Sequence, residues 1–247
     1  AGVTVAKHGN RAMSSACGSA DALEALGVKI DLGPDGVKRC LAKVGIGFMF
    51  APAFHPAMKY AGPPRREIGI RTVFNLLGPV TNPAGAARQI IGMADGEAAG
   101  RVARALALLG TEHALIVRGE DGADEVSVEG PTRMWEVIGR EVSRRTTRPA
   151  DFGLPEGSRR HLFAPTLERS LQLMRGVLEG RGSGEDAPPG VERSARNVVV
   201  MNAAAALLVA GRAQDFAQGA ALAAGSIDSG AARGKLDALV ALSRKLS

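Results

Sequence analysis

Apolar and polar positions fall along this chain in blocks that suit two kinds of element. Short apolar runs bounded by turn residues read as strands: Val3 to Ala6, Ile46 to Phe50, Gln89 to Met93 and Ala114 to Val117. The first begins almost at residue 1, with Gly2 to Val5 reading as buried strand. Between these runs lie helical stretches. Ser19 to Gly27 has Ser19 as candidate N-cap, Asp21 in the first turn and Gly27 as a stop. Pro34 to Val44 places Pro34 near the first helical position. His55 to Tyr60 and Arg66 to Leu77 read as helical, the second ended by Gly78-Pro79. Ala98 to Leu109 is an amphipathic helix stopped by Gly110. Val126 to Val128, Arg133 to Ile138 and Glu141 to Arg145 predict a local antiparallel meander. Thr166 to Leu178, Ala195 to Ala210, Phe216 to Ser226 and Ala231 to Leu246 read as helices, and "RGSGEDAPPG" (Arg181 to Gly190) is the clearest loop. Strands alternating with helices predict an α/β fold with a central, largely parallel sheet flanked by helices.

Composition bounds this picture without changing it. At 247 residues the chain suits one large or two small domains, and we read it as one α/β domain over residues 1–247. It is 45% hydrophobic and 23% charged, which is globular. Its 32 glycines are about twice the usual share, which suggests tight turns and close approaches of backbone to ligand. Lys and Arg exceed Asp and Glu by 31 − 25 = 6. That balance suits nucleic acid or a small polyanion. No basic run of five residues exists, and the scatter Arg144, Arg145, Arg148, Arg159, Arg160 reads as a solvated face. Two cysteines, Cys17 and Cys40, argue against a disulfide framework and for a reducing, cytoplasmic setting. No run spans a bilayer, and no signal peptide is visible. An opening strand behind Ala1 rather than Met predicts that the chain is the latter part of something longer.

Three segments could carry chemistry. In "AKHGNRAMSSACGSAD" (residues 6–21) a strand, a loop and a helix N-terminus follow one another, which aims backbone N–H groups at an anion. Lys7, placed after the strand, would emerge at its C-terminal edge, where open α/β sheets bind ligands. Lysine, serine hydroxyls and N–H groups together can cradle phosphate; a decorated surface loop is the plainer alternative. In Glu120-Asp-Gly-Ala-Asp-Glu125 four carboxylates in six residues suit a hard cation such as Mg²⁺ bridging diphosphate, or simply a solvated acidic loop. In "PPRRE" an Arg at a helix start opposes the dipole, and clamping a carboxylate would justify it; an ordinary helix-end Arg is the alternative. His55, His113 and His161 have no metal-ligand spacing and read as structural or surface residues. Cys17, Cys40 and Trp135 read as packing residues.

The segments "KHGNRAMSSACGSADALEALG", "FAPAFHPAMKYAGPPRREIGIRTVFNLLGPVTNPA", "EDGADEVSVEGPT", "DFGL" and "NAAAALLVAG" with "IDSG" stand in the order found in anthranilate phosphoribosyltransferases, and over essentially its whole length the chain resembles that family. The resemblance implies a nucleoside-phosphorylase-like α/β domain behind a small N-terminal helical domain. Most of that helical domain, and the family's Gly-rich GTGGD loop, are not in this sequence, and Ala123 stands where the family more often has Leu. It implies a glycosyltransferase of tryptophan biosynthesis that joins phosphoribosyl diphosphate to anthranilate. The implied phosphoribosyl diphosphate site is Lys7, His8, Gly9, Asn10, Arg11, Ala12, Met13, Ser14, Ser15 and Ser19; Asn10, Arg65 and His8 face anthranilate, and Asp124 and Glu125 hold Mg²⁺. His8 sits near the substrate amine with no firm catalytic role. A cytoplasmic homodimer is implied for the full-length family, with no membrane or nucleic-acid partner. The given residues alone are expected to be weakly active or inactive. Two rivals are a nucleic-acid-binding relative of the same fold, motivated by the net charge, and a nucleoside phosphorylase. Seven Phe, one Tyr and one Trp offer the former few stacking platforms.

Overall fold

The computed structural model describes residues 1–12, 17–69, 77–78, 80–184 and 187–246, and only the backbone of Arg65 and Arg66. The chain divides into two compact units. One comprises Gly2–Ala86, Ala164–Leu171 and the residues from Gly234 onward; the other comprises Ala1, Ala87–Phe163 and Gln172–Arg233.

The unit that begins at Gly2 is built on a parallel pair, β1 (Val5–Gly9) and β2 (Ile46–Phe50), with Val5 opposite Ile46 and Gly9 opposite Phe50. Residues 2–4 were expected in a buried strand but stand outside it, and Val5 is 46% exposed. The strand starts only where β2 begins to offer hydrogen bonds, so the partner and not the apolar run sets its end. Helices α1 (Ser19–Ala25) and α2 (Pro34–Val44) connect the strands. Pro34 opens α2 as expected, because its missing N–H would be unpaired there anyway. Val28, Ile30, Val37, Cys40, Val44, Phe48, Met49 and Leu239 form the core of this unit. Cys40 is a packing residue, and burial pushes its thiol pKa up.

After β2 come α3 (Ala51–Phe54) and α4 (Met58–Ile68). Helix α4 runs through Pro63 and Pro64, although the sequence pattern places these residues between two helices. Two prolines remove two N–H donors, those that would bond the carbonyls of Lys59 and Tyr60. Both of these residues are exposed, so water can replace the lost donors. Arg65 therefore lies near the end of a helix, where a cation suits the dipole, and not at a start. Leu77, Gly78 and Val80 are helical, so the expected stop at Gly78 is passed. Most of the predicted helix Arg66 to Leu77 lies outside the described residues.

The other unit holds a four-stranded sheet in the order β3 (Arg88–Gly92), β4 (His113–Gly119), β5 (Thr132–Ile138) and β6 (Glu141–Thr147). β3 and β4 are parallel; β4 to β5 and β5 to β6 are antiparallel. Parallel pairing is thus present in both units, and the predicted meander extends one of the two sheets. Val126 to Val128 is not one of its strands, although all three residues are buried. The segment's backbone bonds go largely to side chains: Ser127 N–H donates to Thr132 Oγ1 at 2.8 Å, Asn202 takes both polar groups of Val126, and the Val128 carbonyl accepts the Gly157 N–H at 2.9 Å. Helix α5 (Gly96–Leu108) is capped by Asp95, whose carboxylate accepts the Glu97 and Ala98 N–H groups at 3.0 and 3.1 Å. Its buried Ala and Leu face packs on β4 and β5. Trp135 of β5 is core, as expected, with its ring against Gly96 and Gly100. Helices α6 (Leu167–Leu178), α7 (Val191–Val209), α8 (Phe216–Asp228) and α9 (Ala231–Lys245) follow in the chain; α7 and α8 lie in this unit and pack on each other, whereas α6 and α9 have residues in both units. Among the described residues no helix is long and apolar enough to cross a membrane.

Candidate functional site

Residues 7–12 and 17–21 form the predicted strand–loop–helix junction. Lys7 lies within β1, not after it, because pairing with β2 continues to Gly9. Its side chain is exposed at the middle of the strand. The loop closes on itself: the Asn10 carbonyl accepts the Ala20 N–H at 3.2 Å and the Ser19 hydroxyl at 3.5 Å. Gly9 makes this closure possible, since a Cβ there would lie 2.4 Å from Ser19 Oγ and 2.8 Å from the Phe48 ring. Gly18, not Ser19, is the N-cap residue, and Ser19 opens the helix.

Asp21 does the capping instead. Its carboxylate accepts the N–H groups of Ala12 at 2.9 Å and Gly18 at 3.0 Å, and pairs with Arg11 at 3.1 Å. Those two backbone bonds, with the Arg11 charge, hold its carboxyl below the usual carboxylate range. Arg11 also grips Glu24 with both guanidinium nitrogens, at 2.7 and 3.0 Å, and its N–H donates to Asn10 Oδ1 at 2.8 Å. Its guanidinium is therefore committed to α1. The Gly18 and Ala20 N–H groups, expected to face an anion, are bonded within the junction. What this segment leaves exposed to a ligand is chiefly the Lys7 ammonium and Asn10. Ala12 and Ser19 are half-buried. Met13, Ser14 and Ser15 lie outside the described residues, as does the side chain of Arg65.

His8 and His55 meet edge to face, with ring centroids 5.0 Å apart. Burial first, and then the charge of His55, lower the pKa of His8; a bond with the Gly78 backbone opposes them in part. Among the described residues the Nε2 atoms of both rings are buried without a hydrogen-bond partner. Sequence reasoning missed this pair. The signal lay in the strand assignments: β1 and β2 are parallel neighbours, so the residues following Phe50 come back beside the end of β1.

The acidic segment belongs to the other unit and follows β4. Glu120 and Asp121 help hold the loop in place. Glu120 pairs with Arg133 at 3.0 Å. Asp121 accepts the Ala123 N–H at 3.0 Å and the Ser127 hydroxyl at 2.9 Å. The Arg159 guanidinium donates to the Asp121 carbonyl. Asp124 and Glu125 remain exposed. Gly92 of β3 fits against this loop with nothing to spare: a Cβ there would lie 1.6 Å from the Asp124 carbonyl oxygen. Among the described residues no three His, Cys, Asp or Glu cluster into a ready cation cage. Two exposed carboxylates suit Mg²⁺, which keeps several waters and takes its remaining ligands from substrate phosphates. The residues present fit that ion.

The other titratable candidates are structural. His113 bonds Glu136 at 2.8 Å, and His161 bonds Ser194 at 2.9 Å. Arg145 covers the Phe216 ring at 4.6 Å and Arg148 faces Glu156 at 3.8 Å, while Arg144, Arg148, Arg159 and Arg160 are exposed, the solvated face expected of this scatter.

A family model described as glycosyl transferase family, a/b domain, matches residues 1–233. The chain is 51% identical over 245 residues to an anthranilate phosphoribosyltransferase from Chloroflexus aggregans, covering 99% of this chain and 69% of that protein. To one from Moorella thermoacetica it is 52% identical over 241 residues, covering 98% and 68%. Among solved structures, the anthranilate phosphoribosyltransferase from Thermus thermophilus superposes with a TM-score of 0.87 at 40% identity, covering 98% of this chain and 69% of that one. The enzyme from Saccharomyces cerevisiae in complex with PRPP and Mg gives 0.86 at 27% identity, covering 97% and 64%. With identity near one half over almost every residue, and a fold that superposes over the same span, the chain belongs to the anthranilate phosphoribosyltransferase family.

Proposed function

We propose that the protein transfers the phosphoribosyl group of phosphoribosyl diphosphate to the amine of anthranilate, giving phosphoribosyl-anthranilate and diphosphate. The observation that carries this reading is the 51% identity to a named relative over 99% of the chain. In the reaction the bond from C1 of the ribose to diphosphate breaks with its electron pair leaving on diphosphate, a C1–N bond forms, and the nitrogen then releases one proton to solvent. A neutral aromatic amine is already a nucleophile, so the demanding part is departure of the diphosphate. Lys7, exposed on β1, neutralises charge developing on that leaving group. Asn10 and Arg65 orient anthranilate, Arg65 through its carboxylate. His8, its pKa lowered by burial, stays neutral near pH 7 and can share a hydrogen bond with the amine. Arg11, Asp21 and Glu24 hold the loop that carries Asn10. Asp124 and Glu125 hold the cation, which when bound neutralises phosphate oxygens.

The test is direct. Protein expressed from its complete coding sequence is mixed with phosphoribosyl diphosphate, Mg²⁺ and anthranilate, and anthranilate fluorescence is followed. Steady loss of the signal is expected. No turnover under saturating substrates overturns the assignment.

A further inference from the structure

We infer that Asn202 is a positioning residue for the cation-holding carboxylates, a role that rests on the reading of Asp124 and Glu125 above. Asn202 lies on α7, 76 residues from the acidic loop, and uses its amide on both polar groups of one residue's backbone. Its Oδ1 accepts the Val126 N–H at 2.9 Å, and its Nδ2 donates to the Val126 carbonyl at 3.1 Å. The same Nδ2 donates to the Val198 carbonyl of its own helix at 2.9 Å, which fixes the amide's orientation. The side chain thereby does for Val126 what a neighbouring strand would do.

Val126 directly follows Glu125, and its own side chain is fully buried. The loop is fixed equally firmly on the other side. The Gly119 N–H donates to the Ala123 carbonyl at 2.8 Å, and Asp121 accepts the Ala123 N–H at 3.0 Å. Asp124 and Glu125 are thus a two-residue span between two pinned backbone positions. Adjacent carboxylates repel, so an unpinned span would spread them, and a cation would have to restore their order. Helix α7 is a stiff support: Met201, Ala204 and Ala205, around Asn202, are fully buried. Partners that orient ligating carboxylates typically change metal affinity by about 10–100-fold when removed.

The experiment measures binding rather than turnover. Mn²⁺, whose free form is read by electron paramagnetic resonance, is titrated into the protein with inorganic diphosphate present. The wild type, Asn202→Ala, Asn202→Asp and the pair Asp124→Asn with Glu125→Gln are compared. Circular dichroism checks that each is folded. Asn202→Ala is expected to weaken Mn²⁺ by about tenfold while leaving the anthranilate KM unchanged. Asn202→Asp keeps the acceptor for the Val126 N–H but loses both donated bonds, so it too is expected to weaken Mn²⁺. If the alanine variant does not fold, the isosteric aspartate variant decides by the same criterion. A folded Asn202 variant with wild-type Mn²⁺ affinity, even if less stable, overturns the inference. If the carboxylate pair variant keeps wild-type Mn²⁺ affinity, the cation site itself is misassigned and the inference falls with it.

Discussion

His8 bears two loads on its protonated form, burial at the end of β1 and the ring of His55 5.0 Å away. Both lower its pKa from 6.5, so between that value and its folded one the unfolded chain binds more protons than the native state. Stability is therefore complete above pH 6.5 and falls as pH drops toward the folded value. Melting temperature measured from pH 7.5 downward is expected to show that fall, and His8→Gln to flatten it. An unchanged slope in the variant would show that another group governs the titration. Arg65 gives a second prediction at this scale: Arg65→Ala raises the anthranilate KM at least tenfold, about 1.4 kcal/mol or more, and leaves the KM for phosphoribosyl diphosphate near wild type. Equal rises in both constants would point to a general disturbance of α4. That Lys7 and Asn10 are exposed was legible in the sequence from residue type, although Lys7 stands mid-strand and not after the strand as expected. The commitment of Arg11 to Glu24 was not, since it depends on where a turn of helix α1 places that carboxylate.

Strand β4 shows the element scale at its most predictable. Ala114 to Val117 is an unbroken apolar run, and in the structure all four residues are buried to 1% or less. Such a run belongs in a strand covered on both faces. Leu115→Ala is accordingly expected to cost about 2–5 kcal/mol in urea unfolding, and a loss below about 1 kcal/mol would mean that the site collapses around the smaller side chain. Gly92 on the neighbouring strand tests the coupling between sheet and loop. Gly92→Ala must displace the Asp124 backbone, so it is expected to weaken Mn²⁺ binding more than it lowers the melting temperature. Unaltered Mn²⁺ affinity would show that the loop can move away from β3 without losing the cation. Less predictable were Val126 to Val128 and Pro63-Pro64. The valine segment has the pattern of a strand because it is largely apolar and buried, but Val126 is paired by a side chain from α7 instead of by a strand. The proline pair has the pattern of a helix break because proline lacks a donor, but exposed carbonyls accept water instead.

At the scale of the whole molecule the surplus of six positive charges invites a polyanionic partner. Part of the basic complement is held in ion pairs: Arg11, Arg133, Arg181 and Arg196 each meet a carboxylate within 3.1 Å. Cations held in such pairs offer less free charge to a phosphate backbone. At about 150 mM salt the protein is expected to leave a duplex DNA probe unshifted at micromolar concentration; a clear shift would restore nucleic acid as a ligand. The α/β alternation, the junction of Lys7 to Ser19, the acidic loop and, through motif order, the family can all be read from the order of amino acids alone. These are local: hydrophobic period, turn chemistry and residue type act within a few positions of one another. Folding in three dimensions was needed to settle where β1 begins, which carboxylates of the acidic loop stay exposed, that His55 stands against His8, and that Asn202 completes the backbone of Val126. Each of these depends on residues far apart in the chain, and such hydrogen bonds and contacts come into being only when packing brings their partners together.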